Sequence, residues 1–224
     1  MHGAFYKYLV HLVVIGFALT TGTSFANEPI NLSTAKKQAI VYHDSGAYDN
    51  DIRIVMNQAM LYLKNRIKQP FTPGKKPAIV LDIDETSLSN YTDMKHLDFG
   101  GTIKDISRDE DKGTDPAIQP TLALYRFAMA NHIAVIFLTG RHDYERKPTE
   151  ANLKKVGYTL WDHLILRHGE YHSKPAVIYK TAMRKQLTER GYDIILNIGD
   201  QHSDLAGGYA EKTFKLPNPY YLIP

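Results

Sequence analysis

Three carboxylates crowd into four residues at the end of the apolar run in AIVLDIDETSLSNY (Ala78–Tyr91): Asp82, Asp84 and Glu85. Acids this close repel one another, and a fold keeps them together where a cation or a transferable proton sits among them. Further groups follow at wide spacing. Thr139, Gly140 and Arg141 come after the run IAVIFL, Lys180 lies within AVIYKTAMRKQLTERGY, and Asp200 and Asp204 lie in GDQHSD. This inventory suits phosphoryl transfer. A hard divalent cation takes oxygen ligands, which Asp82 and Asp200 can supply. Such a cation and Lys180 would neutralise phosphate oxygens, with Thr139 and backbone N–H groups hydrogen-bonding them. A carboxylate can attack phosphorus to give an aspartyl-phosphate, and a second carboxyl two residues on, Asp84, is placed to protonate the leaving alcohol and then deprotonate water.

These groups must be carried to one place by the elements between them. From about Ala47 to Gln69 apolar residues recur at three- and four-residue spacing (Ile52, Val55, Met56, Ala59, Met60, Leu63, Ile67), which predicts a helix. QPFTPGKKP breaks the chain, and AIVLD reads as a short buried strand. Residues 88–117 are polar and acidic and are expected to be a long loop, a lid or an insertion. PTLALYRFAMANH, KPTEANLKKVGY and AVIYKTAMRKQLTERGY predict helices, alternating with the strands IAVIFLTG, DHLILR and DIILNIGD. Residues 27–46 are polar, close on turn formers, and carry no predicted element. Alternating strands and helices imply an α/β fold with a parallel sheet covered on both faces. Active groups of such sheets gather beyond the carboxyl ends of the strands, which is where Asp82, Thr139 and Asp200 fall.

Composition sets outer bounds. The 224 residues are 43% hydrophobic and 23% charged, enough for one sizeable core. A formal net charge of +3 without a long Lys/Arg run gives no case for a nucleic-acid polymer as partner. The chain lacks cysteine, which excludes a thiol nucleophile, a thiolate metal site and a lipid-acylated cysteine. At the N-terminus, Lys7 precedes an apolar stretch from about Tyr8 to Leu19, and Ser24 and Ala26 have the spacing of a cleavage site. That stretch is shorter than the roughly 20 residues of a membrane span. Residues 1–26 are therefore expected to be a signal peptide, 27–224 the mature domain, and the protein periplasmic or secreted without a stable membrane anchor after cleavage.

With these residues in view, the chain resembles the haloacid dehalogenase (HAD) superfamily of phosphatases, which carry an Asp-x-Asp strand end, a Thr/Ser strand end, a Lys and a late acid pair. LDIDETSLSN, FLTGR, YKTAMRKQLTERGYDIILNIGDQHSDLAGG and FKLPNPYYLIP are similar to the subfamily IIIB acid phosphatases, the group of bacterial lipoprotein acid phosphatases and plant vegetative storage proteins. The resemblance spans nearly all of residues 40–224. It implies a Rossmann-like sheet with a small helical or loop cap drawn from about residues 27–70 and 88–117. It also implies Mg²⁺ as cofactor and a small phosphomonoester as substrate. By position, Asp82 resembles the nucleophile and Asp84 the general acid/base with its carbonyl on the metal. Thr139, Gly140, Arg141 and Lys180 resemble the phosphate-binding positions, Asp200 a metal ligand and Asp204 an outer-shell acid. Two features depart from the pattern: the acylated cysteine is absent, and residues 88–117 lack a Trp-rich pattern.

Some alternatives stay open at this level. Lys174 competes with Lys180 as phosphate binder, Arg141 can contact substrate or pair with a nearby acid, and Tyr42, Tyr48 and Tyr91 can stack on a substrate or pack a lid. The clustered acids are expected to raise the pKa of Asp84 and so give an acidic optimum. A phosphotransferase on the same fold, or a storage or binding relative of weak activity, are the competing functions. Aspartate at position 82, rather than Ser or Asn, favours intact chemistry.

Overall fold

The computed structural model describes residues 28–102, 105, 108 and 112–223. The chain divides into two units, Met1–Asn31 and Leu32–Pro224. The proposed signal peptide, residues 1–26, lies outside the described residues, as does part of the 88–117 segment. Residues 28–31 carry no regular structure.

The second unit is built on five parallel strands: β1 Lys76–Leu81, β2 Ala134–His142, β3 His163–Arg167, β4 Tyr192–Gly199 and β5 Thr213–Lys215. Their order across the sheet is β3-β2-β1-β4-β5. The chain runs outward from the central β1 to β2 and β3, then returns to the other side of β1 for β4. That reversal opens a crevice at the carboxyl ends of β1 and β4. Leu81 pairs with both Phe137 and Ile198, so the residues that follow these three positions share one rim.

Two apolar layers cover the sheet because successive side chains of a strand point to opposite faces. Ala78 and Val80 of β1 pack with Ala134, Ile136, Leu138 and Ile194 against Tyr179, Met183 and Leu187 of the helix Ala176–Glu189. Ile79 and Leu81 face the other way, onto a larger core. That core takes Ile52, Met56, Ala59 and Leu63 from the helix Ala47–Arg66 and Leu122, Leu124, Tyr125 and Ala128 from the helix Gln119–Ala130. In chain order, the helices among the described residues include α1 Leu32–Asp44, α2 Ala47–Arg66, α3 Tyr91–His96, α4 Gln119–Ala130, α5 Arg146–Lys155, α6 Ala176–Glu189 and α7 His202–Leu205. No helix among the described residues is long and apolar enough to cross a membrane.

Three elements depart from the sequence reading. Residues 32–44 form α1 rather than an irregular lead-in; Ala39 alone is buried on it, so no apolar stripe announces it. The segment after β1 is not an open loop at its start: Ser87 and Leu88 are buried, Leu88 bridges to Ala117, and α3 follows. β5, three residues long, extends the sheet by one strand. The helix of the N-terminal region, α2, lies on the sheet as part of the main core. What this region lends to the roof is its first turn and the end of α1: His43 stacks on Tyr91 of α3 at 3.4 Å between ring centroids, and Tyr48 and Tyr220 lie 5.5 Å apart.

Candidate active site

Beyond Leu81 the backbone of Asp82 continues the ladder by one bond, its N–H donating to the Ile198 carbonyl at 3.0 Å. The chain then turns sharply: the Ile83 carbonyl accepts from the N–H groups of Thr86, Ser87 and Leu88. Glu85 takes a left-handed conformation with φ of 51° inside this turn. It is fully buried and receives the Tyr48 hydroxyl at 2.7 Å and the Asn90 N–H at 2.6 Å. Burial pushes its carboxyl up to about 8, against the pull of these two hydrogen bonds. The third acid of the opening cluster is thus a tie between α2 and the turn that presents the other two.

Asp82, Asp200 and Asp204 are buried, with one carboxylate oxygen of each within 4.8 Å of the others. Lys180, in the second turn of α6, reaches Asp82 Oδ1 at 2.6 Å and hydrogen-bonds Asp204 Oδ1. Burial by itself would push the ammonium down; the charges of Asp204 and Asp82 outweigh it and hold Lys180 above its usual range. Burial, only partly offset by Lys180, pushes the Asp82 carboxyl well up, with Asp204, Asp200 and Asp84 adding to it. Asp200 is raised to about 6, first by burial and then by Asp204.

Both late acids are tightly oriented. Asp200 Oδ2 accepts from Gln201 Nε2 at 2.6 Å and Asn218 Nδ2 at 2.7 Å, and its Oδ1 from the Thr86 hydroxyl at 3.3 Å. Asp204 Oδ2 takes the Gln201 N–H at 2.8 Å. Glycine is required at position 199 because a Cβ there would overlap the Asp204 side chain. The residues fit a hard divalent cation. All donors are carboxylate oxygens, each held by a neighbouring hydrogen bond, and the cleft is lined by five acids (Asp82, Asp84, Glu145, Asp200, Asp204) against three cations (Lys180, Arg141, Arg167), leaving negative charge to be neutralised.

Asp84 sits apart from this cluster. Arg141 Nη2 lies 2.6 Å from its Oδ1, and Arg141 Nε lies 3.1 and 3.2 Å from Oδ1 and Oδ2. Asn90 Nδ2 donates to Oδ1 at 2.7 Å. The expectation of a raised pKa is corrected here. Burial does push Asp84 up, but the charge and hydrogen bonds of Arg141, then Asn90, outweigh it, and the carboxyl ends below its usual value. The neighbouring acids, which suggested the rise, are outbid by a guanidinium that shares the same carboxylate. Arg141 also reaches Asp115 at 3.4 Å. Burial pushes Asp115 up to about 7, with Arg141 pulling the other way.

The structure therefore brings Asp82, Asp84, Gly140, Arg141, Lys180, Asp200 and Asp204 to one cleft of about 380 Å³. Thr139 is fully buried beside it, its hydroxyl 3.5 Å from Asp84 Oδ2 and accepting the Arg141 N–H at 3.0 Å. Lys174 is exposed, outside the buried cluster that holds Lys180. The tyrosines pack the roof: Tyr42 donates to Asp51 at 2.6 Å, Tyr91 to Asp44 at 2.7 Å, and Tyr48 to Glu85. Several lining residues escaped the sequence reading. Asn90 and Met94 come from the α3 region, Tyr221, Leu222 and Ile223 from the C-terminal segment, and Arg167 from the end of β3. Arg167 was within reach of the rule that reads the carboxyl ends of strands; the C-terminal residues have no local signal.

Comparison with known proteins places these observations in a family context. The family model described as HAD superfamily, subfamily IIIB (acid phosphatase), matches residues 19–224. A stem 28 kDa glycoprotein of Glycine max is 41% identical over 182 residues, 79% of this chain and 70% of that one. Acid phosphatase 1 of Solanum lycopersicum is 38% identical over 148 residues, 64% of this chain and 58% of that one. The class C acid phosphatase of Bacillus anthracis shares the fold, with a TM-score of 0.72 at 22% identity over 85% of this chain and 86% of that one.

Proposed function

Because the chain belongs to subfamily IIIB of the HAD superfamily, the acid phosphatases, and is a phosphomonoester hydrolase of that type, we propose that it works through a phosphoaspartate on Asp82 with Mg²⁺ as cofactor. The observation that carries this reading is the pairing of Asp82 Oδ1 with Lys180 Nζ at 2.6 Å, in a pocket that Asp200 and Asp204 complete. Asp82 and Asp200, with the backbone carbonyl of Asp84, would hold the metal and Asp204 would steady it from the outer shell; the metal would supply charge neutralisation for the phosphoryl oxygens. Lys180 then binds the same oxygens, and its charge, together with that of the metal, would oppose the burial that raises the Asp82 carboxyl and favour the ionised form that attacks in line with the leaving oxygen.

Thr139 and the backbone at Gly140 hydrogen-bond the transferring group. Asp84, at the edge of the cleft, hands its proton to the leaving alkoxide and takes one back from the water that hydrolyses the phosphoaspartate. Arg141 positions that carboxyl. Since Arg141 lowers the Asp84 pKa, the protonated form is favoured only at acid pH, which supports an acidic optimum for substrates with poor leaving groups.

Residues 1–26 are read as a secretory signal and the mature domain as periplasmic or secreted. The support is the Lys7–apolar–Ser24/Ala26 pattern. A panel of small phosphomonoesters, assayed across pH with Mg²⁺, Ca²⁺ and Zn²⁺ exchanged, tests the assignment. Hydrolysis strongest below neutrality, lost on chelation and restored by Mg²⁺, is expected; full activity after exhaustive metal removal would contradict it.

A further inference from the structure

We propose that Arg167 reads an anionic group, a carboxylate or a second phosphate, carried by the leaving group of the substrate; the inference rests on the phosphatase reading above. Arg167 is the last residue of β3 and lines the same cleft as Asp82 and Lys180. Its guanidinium is held in place. Nη1 donates to the Lys174 carbonyl at 3.0 Å, and the guanidinium carbon lies 5.6 Å from the Tyr179 ring centroid. The group passes over Gly140, where a Cβ would stand 3.9 Å from Nη2.

Two facts make this a cation with a vacancy for an anion. First, Arg167 Nε is buried and has no hydrogen-bond partner, and no ion pair ties Arg167 to an acid among the described residues. Buried donors of this kind are normally satisfied. Second, Glu145, which lines the same cleft, gives Oε2 to the His142 N–H and makes no ion pair with Arg167, its Oε1 being buried without a partner, and Asp143 lies 3.7 Å from His172 Nε2. Arg141, the other guanidinium in the cleft, is already held by Asp84 and Asp115.

A guanidinium offers a planar fork that fits a carboxylate or phosphate with two parallel hydrogen bonds. Its place fixes which anion. Arg167 passes over β2, one strand spacing of about 4.8 Å from the strand that carries Asp82. Lys180 and Thr139 already serve the transferring phosphoryl, so Arg167 stands to the side where the substituent on the ester oxygen arrives.

The test compares three substrates on the full chain with Mg²⁺: ethyl phosphate, phosphoglycolate and ethane-1,2-diol bisphosphate. The wild type is expected to favour at least one anionic substrate over ethyl phosphate in kcat/KM by about tenfold or more, the scale of a charge-assisted bidentate contact. Which of the two is favoured separates carboxylate from phosphate. In Arg167→Met, which removes the guanidinium and keeps an unbranched apolar stem, that ratio is expected to collapse toward one. In the wild type alone it is expected to fall as salt is raised, a readout that survives if the variant fails to fold. A wild-type ratio near one, a ratio unmoved by salt, or an equal loss on all three substrates in Arg167→Met would overturn the inference, the last by placing Arg167 on the transferring phosphoryl. These outcomes leave the phosphatase reading standing; turnover of none of the three by the wild type would bring down both.

Discussion

Arg141 grips Asp84 through two nitrogens, with Nη2 2.6 Å from Oδ1 and Nε 3.2 Å from Oδ2, and this contact sets the acid strength of the group proposed to move protons. It lowers the Asp84 pKa despite burial. Protonated Asp84 donates to the leaving alkoxide, so the rate on alkyl phosphates falls as pH rises through that pKa. Arg141→Met removes the lowering influence, and the alkaline limb of kcat/KM for an alkyl phosphate is expected to move to higher pH. A pH–rate profile of the two proteins checks this; an unmoved limb would detach Arg141 from Asp84 function.

Asp115, raised to about 7, makes a separate prediction about stability. A carboxyl whose folded pKa exceeds its unfolded value binds its proton more tightly when folded. Its contribution is full below the unfolded value of 3.8 and is lost as pH rises through about 7. Three pKa units of difference correspond to roughly 4 kcal/mol at most, and screening and relaxation reduce it. Urea unfolding at a series of pH values between these limits should show the wild type losing stability relative to Asp115→Asn. Parallel profiles would refute the assignment.

Tyr48 and Glu85 connect the core helix α2 to the turn that carries Asp82 and Asp84. Tyr48→Phe strips one hydrogen bond from a fully buried carboxyl, which is expected to cost about 1–3 kcal/mol in unfolding free energy. Because the turn positions the site, kcat should fall with little change in KM. Equilibrium unfolding and steady-state kinetics on the same preparation measure both.

Metal binding to the folded state alone stabilises it by mass action. Thermal unfolding of the wild type is therefore expected to shift upward with added Mg²⁺. Asp200→Asn, which loses a charge among Asp82 and Asp204, should show a much smaller shift. An equal shift in both would remove Asp200 from the ligand set.

Much of this architecture was readable before any coordinates, and the gaps have physical causes. The central strands announced themselves because AIVL, IAVIFL and IILNIG are buried on both faces, which leaves apolar runs, the last interrupted by Asn197. α2 was legible because Ile52, Met56, Ala59 and Leu63 all turn to the core. α1 was not, since a helix that buries one alanine has no stripe to detect. α3 and β5 are shorter than the window over which periodicity can be recognised. At the site, residues next to strand ends were found by topology. Asn218 and Tyr221 reach Asp200 and the cleft only by the folding back of a distant segment. The direction of the Asp84 shift failed for a related reason: residues nearby in sequence are all acids, whereas the decisive charge comes from β2, 57 residues later.

The central claim is the division of labour between Asp82 and Asp84, and acid-quench trapping of the phosphoenzyme tests it most directly. Aryl and alkyl phosphates are each mixed with wild type, Asp82→Asn and Asp84→Asn, quenched in acid and scored for covalent phosphate. Asp82→Asn should show no label and no turnover, because no other side chain can form the intermediate. Asp84→Asn should still label with aryl phosphates, whose leaving groups need no proton, while its turnover of alkyl phosphates falls by about 10²–10⁴-fold. Label surviving in Asp82→Asn, or an Asp84→Asn defect equal for both leaving groups, would contradict the account.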